Sequence, residues 1–123
     1  HLQGRFLALM SQLIKPEYVL DIGTYTGYSA LCLAEGLSNN GHLYTIDRND
    51  EVLAVAQDYF AKANFSNKIS AFHGNAIELI EQLNEKVPHW NIVWMDAEKA
   101  DYIKYYNLCI DKMSTGGLIM AVN

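Results

Sequence analysis

The sequence predicts an α/β fold, a Rossmann-like, doubly wound, mostly parallel sheet with helices on both faces. Three observations carry that prediction. Short β-like apolar runs alternate with segments of helical periodicity along the whole chain. The ends of those runs recur about every 25 residues, as repeated βα units of a parallel sheet require. Polar and glycine residues gather at the ends of the runs while their bodies stay apolar. Right-handed crossovers between parallel strands then place helices on both faces.

Each element has its own signature. Residues 2–14 set Leu2, Phe6, Leu9 and Leu13 on one helical stripe, and Pro16 stops that helix. Tyr18–Ile22 reads as a buried strand, followed by a glycine-bearing loop and a helix over residues 29–37. Residues 43–47 form the second strand. Asn49 caps the next helix, whose apolar stripe runs Val52, Leu53, Ala56, Tyr59, Phe60 and Ala63. Ile69–His73 is the third strand, and a short helix carrying Ile77, Ile80 and Leu83 follows. Residues 91–96 are the fourth strand, before a helix with Tyr102, Tyr105, Tyr106 and Cys109. Residues 115–117, Thr-Gly-Gly, turn the chain into a fifth run over 118–122.

Composition bounds the function. The 123 residues suit one domain, spanning 1–123, with 50% hydrophobic and 19% charged residues. No apolar run approaches the roughly 18–20 residues of a membrane span, and no segment has signal-peptide character. Cys32 and Cys109 fall in apolar helical stretches and read as buried thiols of a reducing, cytoplasmic compartment. A net charge of −5 gives no basic field for nucleic acid. The chain starts at His1 and stops in an apolar run, so both ends read as cuts through a longer protein.

In such sheets ligands bind beyond the carboxyl ends of the strands, near the point where strand order reverses. Those ends carry Gly23-Thr-Tyr-Thr-Gly27, Asp47, Gly74-Asn75, Asp96 and Asn123. Gly23 and Gly27 permit a tight strand-to-helix turn and close approach of a ligand to the backbone. The helix that follows starts near Ser29, where free N–H groups and the helix dipole favour an anion. The pattern is G-x-x-x-G with Tyr25 in the middle, not the G-x-G-x-x-G of dinucleotide folds. Asp47, ending the second strand, can accept two hydrogen bonds from ribose hydroxyls. Asp21 lies inside an apolar strand and requires a partner, either a ligand ammonium or a local group.

Residues 19–30 (VLDIGTYTGYSA), 43–47 (LYTID) and 94–102 (WMDAEKADY) together resemble the cation-dependent O-methyltransferases, the catechol and caffeoyl-coenzyme A type and their bacterial relatives. The likeness runs from about Gln3 to Asn123 in one order and spacing. It implies S-adenosylmethionine as cofactor, with Asp21 neutralising its ammonium directly or through water. Gly23, Thr24 and Tyr25 would pass along the methionyl part, with Ser29 on its carboxylate. Asp47 would hold the ribose, and Asn75 and Ala76 would border the adenine. Asp96 resembles the metal-binding aspartate, Lys99 the general base. The metal would be magnesium or another divalent cation, binding an acceptor hydroxyl and favouring its ionised form. The acceptor would be a small catechol-like hydroxyl compound, and the assembly a homodimer.

One departure matters. The family ends this strand with Ala-Asp-Asn, whose Asp and Asn both ligate the metal, whereas here the run is Ala121-Val122-Asn123. Valine has no lone pair to donate, which leaves Asp96 and Asn123 as the metal set. Two other readings stand beside methyl transfer. One is a non-catalytic cofactor-binding module, favoured by Val122; the other is an NAD-type oxidoreductase, disfavoured by the missing dinucleotide glycine pattern.

Overall fold

The chain runs α1 (Leu2–Ile14), β1 (Tyr18–Ile22), α2 (Tyr28–Ala34), β2 (His42–Asp47), α3 (Asp50–Lys62), β3 (Ile69–His73), α4 (Ala76–Lys86), β4 (Trp90–Met95), α5 (Tyr102–Cys109) and β5 (Met113–Ala121) in the computed structural model, which describes residues 2–96 and 98–122. Short 3-10 turns flank α5 at Lys99–Asp101 and Ile110–Lys112. All strand pairs are parallel, in the order β3-β2-β1-β4-β5. The order reverses at β1, so the crevice between the carboxyl ends of β1 and β4 is the topological switch point.

The sheet is covered on both sides, as the apolar strand bodies require. Val19, Leu43, Ile92 and Trp94 face a core built with Leu7, Leu33 and Phe60 from α1, α2 and α3. The alternate residues Leu20, Ile46, Val93 and Met95 face Ile80, Leu83, Tyr105 and Cys109 from α4 and α5. Both cysteines are buried free thiols, and burial pushes the Cys109 thiol up to about 12. Among the described residues, no helix is long and apolar enough to cross a membrane.

Two local expectations are corrected. The stripe Leu2, Phe6, Leu9 and Leu13 faces outward, with Leu2 86% and Leu13 70% exposed. The buried face of α1 is Gly4, Leu7 and Ser11. Small residues win here because α1 and α2 approach closely. A Cβ on Gly4 would fall 2.2 Å from the Tyr28 hydroxyl, and one on Gly36 would fall 2.1 Å from the Ser11 backbone. The Ser11 hydroxyl donates to the Leu33 carbonyl at this contact.

The second correction concerns residues 115–117, which do not precede the last strand but lie within it. Extra residues of β5 between Met113 and Leu118 are absorbed where the register with Trp90 and Ile92 shifts. Gly116, at φ 81°, takes the left-handed conformation that such a bulge needs.

Candidate functional site

The loop between β1 and α2 is fixed from three sides. Gly23 N–H donates to the Ile46 carbonyl at 2.9 Å, and Asp96 N–H donates to the Ile22 carbonyl at 2.8 Å. These bonds tie the ends of β1, β2 and β4 together at the switch point. Gly23 sits at φ 96°, and a Cβ there would lie 1.9 Å from the Asp96 carbonyl oxygen. Its lack of a side chain is therefore a steric requirement as well as a conformational one. Tyr25 holds a left-handed φ of 48°. Gly27, at φ 86°, caps α2 without a side-chain bond, and the helix begins at Tyr28.

Asp47 occupies the end of β2 as predicted and is half-buried. Its Oδ2 accepts from Tyr25 N–H at 3.2 Å, and its Oδ1 accepts from Asn49 N–H at 2.9 Å. Each oxygen retains acceptor capacity toward the cleft. Asn49 caps α3, accepting from Glu51 and Val52 N–H, so Asp47 is not spent as a helix cap. Gly74 N–H donates to the Asp47 carbonyl, which draws the end of β3 into the same rim.

Asp21 is fully buried, and its partners are local hydroxyls. Thr45 Oγ1 donates to Oδ2 at 2.7 Å, and Ser29 Oγ donates to Oδ1 at 3.3 Å. Burial pushes its carboxyl up to about 7, against the pull of the Thr45 and Ser29 hydrogen bonds and with help from Asp96 and Asp47. Thr24 is buried beside it, its hydroxyl 2.7 Å from that of Thr45. Asp21, Thr24 and Ser29 thus form the base beneath the loop rather than its open surface.

A cleft of about 280 Å³ opens above this base and brings together Gly23, Tyr25, Asp47 and Ala76. Arg48 and Tyr105 also line it, two residues that sequence reasoning passed over. Burial, with Asp101 nearby, raises the Tyr105 phenol, while the hydrogen bond and charge of Arg48 oppose that rise. Arg48 carried a usable signal, being the cation next to Asp47. Tyr105 carried none, because its helical spacing reads as core. Asn75, Asp96 and Lys99 are not among the lining residues. Asn75 Oδ1 accepts from Glu78 N–H as the cap of α4. Asp96 is half-buried at the end of β4, and that burial raises its carboxyl. Lys99 is exposed in the 3-10 turn before α5. Asn123 lies outside the described residues.

The family described as O-methyltransferase matches residues 1–123. The chain belongs to the O-methyltransferase family. Among curated relatives, it is 33% identical over 122 residues to the catechol O-methyltransferase of Niastella koreensis, spanning 98% of this chain and 55% of that protein. It is 34% identical over 120 residues to caffeoyl-CoA O-methyltransferase 2 of Eucalyptus globulus, spanning 95% of this chain and 49% of that protein. The chain thus spans about half the length of the curated relatives it matches. The Bacillus cereus O-methyltransferase, solved in complex with SAH, superposes with a TM-score of 0.93 at 29% identity, over 98% of this chain and 55% of that one. A Streptomyces achromogenes O-methyltransferase involved in tomaymycin synthesis, solved in complex with SAM, gives 0.93 at 26% identity, over 98% and 54%.

The donor set of this chain fits a nucleoside cofactor of that kind. It has an acidic strand end for a diol, a cleft bounded by a glycine with no room for a Cβ, and a helix start behind the loop. The fit to a divalent cation is poor. Among the described residues, no three His, Cys, Asp or Glu side chains cluster in a way that could hold one. Beside Asp96, Val122 presents an aliphatic side chain. Its N–H donates to the Met95 carbonyl and its carbonyl accepts from the Tyr102 hydroxyl. Both backbone groups of the departing residue are therefore engaged within the protein.

Proposed function

We propose that residues 1–123 act as the S-adenosylmethionine-binding, Rossmann-like domain of an O-methyltransferase that moves a methyl group to a hydroxyl of a small catechol-like or related acceptor. The observation that carries this reading is the rim around the cleft, where Gly23 and Asp47 face one space at the switch point. Family membership supports it and favours methyl transfer over an NAD-type oxidoreductase. The cofactor, when bound, supplies a methyl group on a sulfonium, open to in-line displacement by an acceptor oxygen.

The chain's own residues bind and orient. Asp47 accepts from the ribose hydroxyls through the acceptor capacity left by its two backbone donors. Gly23 and Tyr25 border the path of the methionyl part, Thr24 supports that loop from beneath, and Ser29 stands at the helix start that favours its carboxylate. Asp21 answers the ammonium from beneath the loop, through its hydroxyl partners or water. Ala76 and Asn75 border the adenine. Asp96 and Lys99 follow the fourth strand, where Lys99 takes the acceptor proton. Most of the acceleration then comes from holding the acceptor oxygen in line with the methyl group.

A homodimeric assembly, by family resemblance, and a cytoplasmic location, from the two buried free thiols, belong to the same proposal, whereas the cation that the resemblance implies on Asp96 and Asn123 meets the poor fit described above. Val122 favours a second reading, a cofactor-binding module without turnover, since it removes a hard ligand where the family has Asp. The test is methyl transfer by the full-length protein from isotopically labelled S-adenosylmethionine to catechol, with phenol in parallel. Labelled methyl ether from catechol supports the reading. Tight cofactor binding with no labelled product from either compound selects the non-catalytic module.

A further inference from the structure

Thr45 lies on β2, two residues before Asp47, and is fully buried. It joins three parts of the molecule through one hydroxyl. Its Oγ1 donates to Asp21 Oδ2 on β1 at 2.7 Å, and it lies 2.7 Å from Thr24 Oγ1 in the loop. Ser29, in the first turn of α2, donates to the other Asp21 oxygen at 3.3 Å. The Thr24 carbonyl in turn accepts from Gly27 N–H at 2.9 Å, which closes the loop turn.

A hydroxyl has one proton to give, so the direction of this chain is determined. With the Asp21 carboxylate charged, Thr45 gives its proton to Asp21 and must accept from Thr24. With a proton on Oδ2, the order reverses: Asp21 donates to Thr45, Thr45 donates to Thr24, and the Thr24 proton is released for another partner. Because these side chains are buried, water does not replace a missing link at low cost.

We propose that Thr45 is a positioning residue for the cofactor, its hydroxyl coupling the proton state of Asp21 to the setting of Thr24 and so to the loop that runs along the methionyl part. The proposal rests on the S-adenosylmethionine reading above. Burial holds the Asp21 carboxyl at about 7, so both orders of the relay are populated near neutral pH. The charged groups that face Asp21 are Asp96 from the end of β4 and Asp47 from the end of β2, both acidic. The arriving ammonium of the cofactor favours the charged carboxylate, so binding expels a proton and strengthens as pH rises through that value.

The experiment is calorimetric titration of the full-length protein with S-adenosylhomocysteine across about pH 5 to 9, in buffers of different ionisation enthalpy. The unaltered protein releases a proton on binding, with an affinity midpoint near 7. Thr45→Val removes a hydrogen bond to the charged carboxylate. It weakens binding about tenfold at neutral pH and moves the midpoint upward. Thr45→Ser restores both. Unchanged affinity and midpoint in a folded Thr45→Val protein overturns the relay and leaves the cofactor reading standing, as does failure of Thr45→Ser to restore them. If Thr45→Val does not fold, Thr24→Val breaks the outer link, and unchanged affinity there overturns the proposal equally. Absence of any binding by the unaltered protein overturns the cofactor reading itself.

Discussion

Replacing Gly23 by alanine tests how the switch point is built, because two separate costs meet there and a second glycine isolates one of them. At φ 96° an L side chain is strained, which costs about 1–2 kcal/mol. The added Cβ would also lie 1.9 Å from the Asp96 carbonyl oxygen, a backbone atom that no rotamer change can move. Relieving that overlap separates the ends of β1 and β4 and strains the Asp96-to-Ile22 bond between them. Overpacking of this kind costs roughly 1–3 kcal/mol more. Gly116→Ala is the control, since φ there is 81° but nothing lies within 4 Å of the new Cβ. Chemical denaturation of the full-length variants should therefore show Gly23→Ala clearly more destabilised than Gly116→Ala. Titration with S-adenosylhomocysteine should show weakened binding only in the former. Equal destabilisation of the two variants refutes the steric part of the argument.

Three other outcomes are expected. Asp21 has a folded carboxyl raised from 3.8 to about 7, so the folded chain binds more protons than the unfolded chain between those values. Stability is then greatest below the lower value and falls as pH rises through the upper one; Asp21→Asn flattens that decline, worth up to about 4 kcal/mol, as read from denaturation midpoints across pH. Asp47→Ala removes the acceptor for the ribose hydroxyls and the anchor of Tyr25 N–H; it should weaken S-adenosylhomocysteine binding by roughly 1.5–3 kcal/mol, measured by calorimetry. Val122→Asp adds a hard carboxylate beside Asp96 and should raise magnesium affinity and magnesium-dependent turnover of the full-length protein; no change in either contradicts the argument drawn from that departure.

The parallel sheet was legible because its strands are apolar throughout and its ligand-facing ends are not, a contrast that burial on both faces imposes. Strands β1 and β3 fall on the residues predicted for them, and Asn49 caps α3 from side-chain chemistry alone. The α1 stripe misled because periodicity reports which residues share a face, not which face is buried. Gly4 and Ser11 decided the matter through close helix contact, which leaves no hydrophobic signal. From sequence β5 reads shorter than it is because Gly116-Gly117 looks like a turn locally, whereas pairing with β4 carries the strand through a bulge. At the site, Gly23, Tyr25, Asp47 and Gly74 from the predicted strand ends do meet in one cleft, together with Ala76 at the start of α4. The Thr45 hydroxyl could not be read, since a threonine in a strand is ordinary by propensity and only the register of β2 against β1 sets it against Asp21.

These strand ends are proposed to form an S-adenosylmethionine site. Calorimetric titration of the full-length protein with S-adenosylhomocysteine, with NAD as the control ligand, tests it most directly. Micromolar binding of S-adenosylhomocysteine and none of NAD is the expected result. Binding of NAD in its place, or of neither ligand, contradicts it.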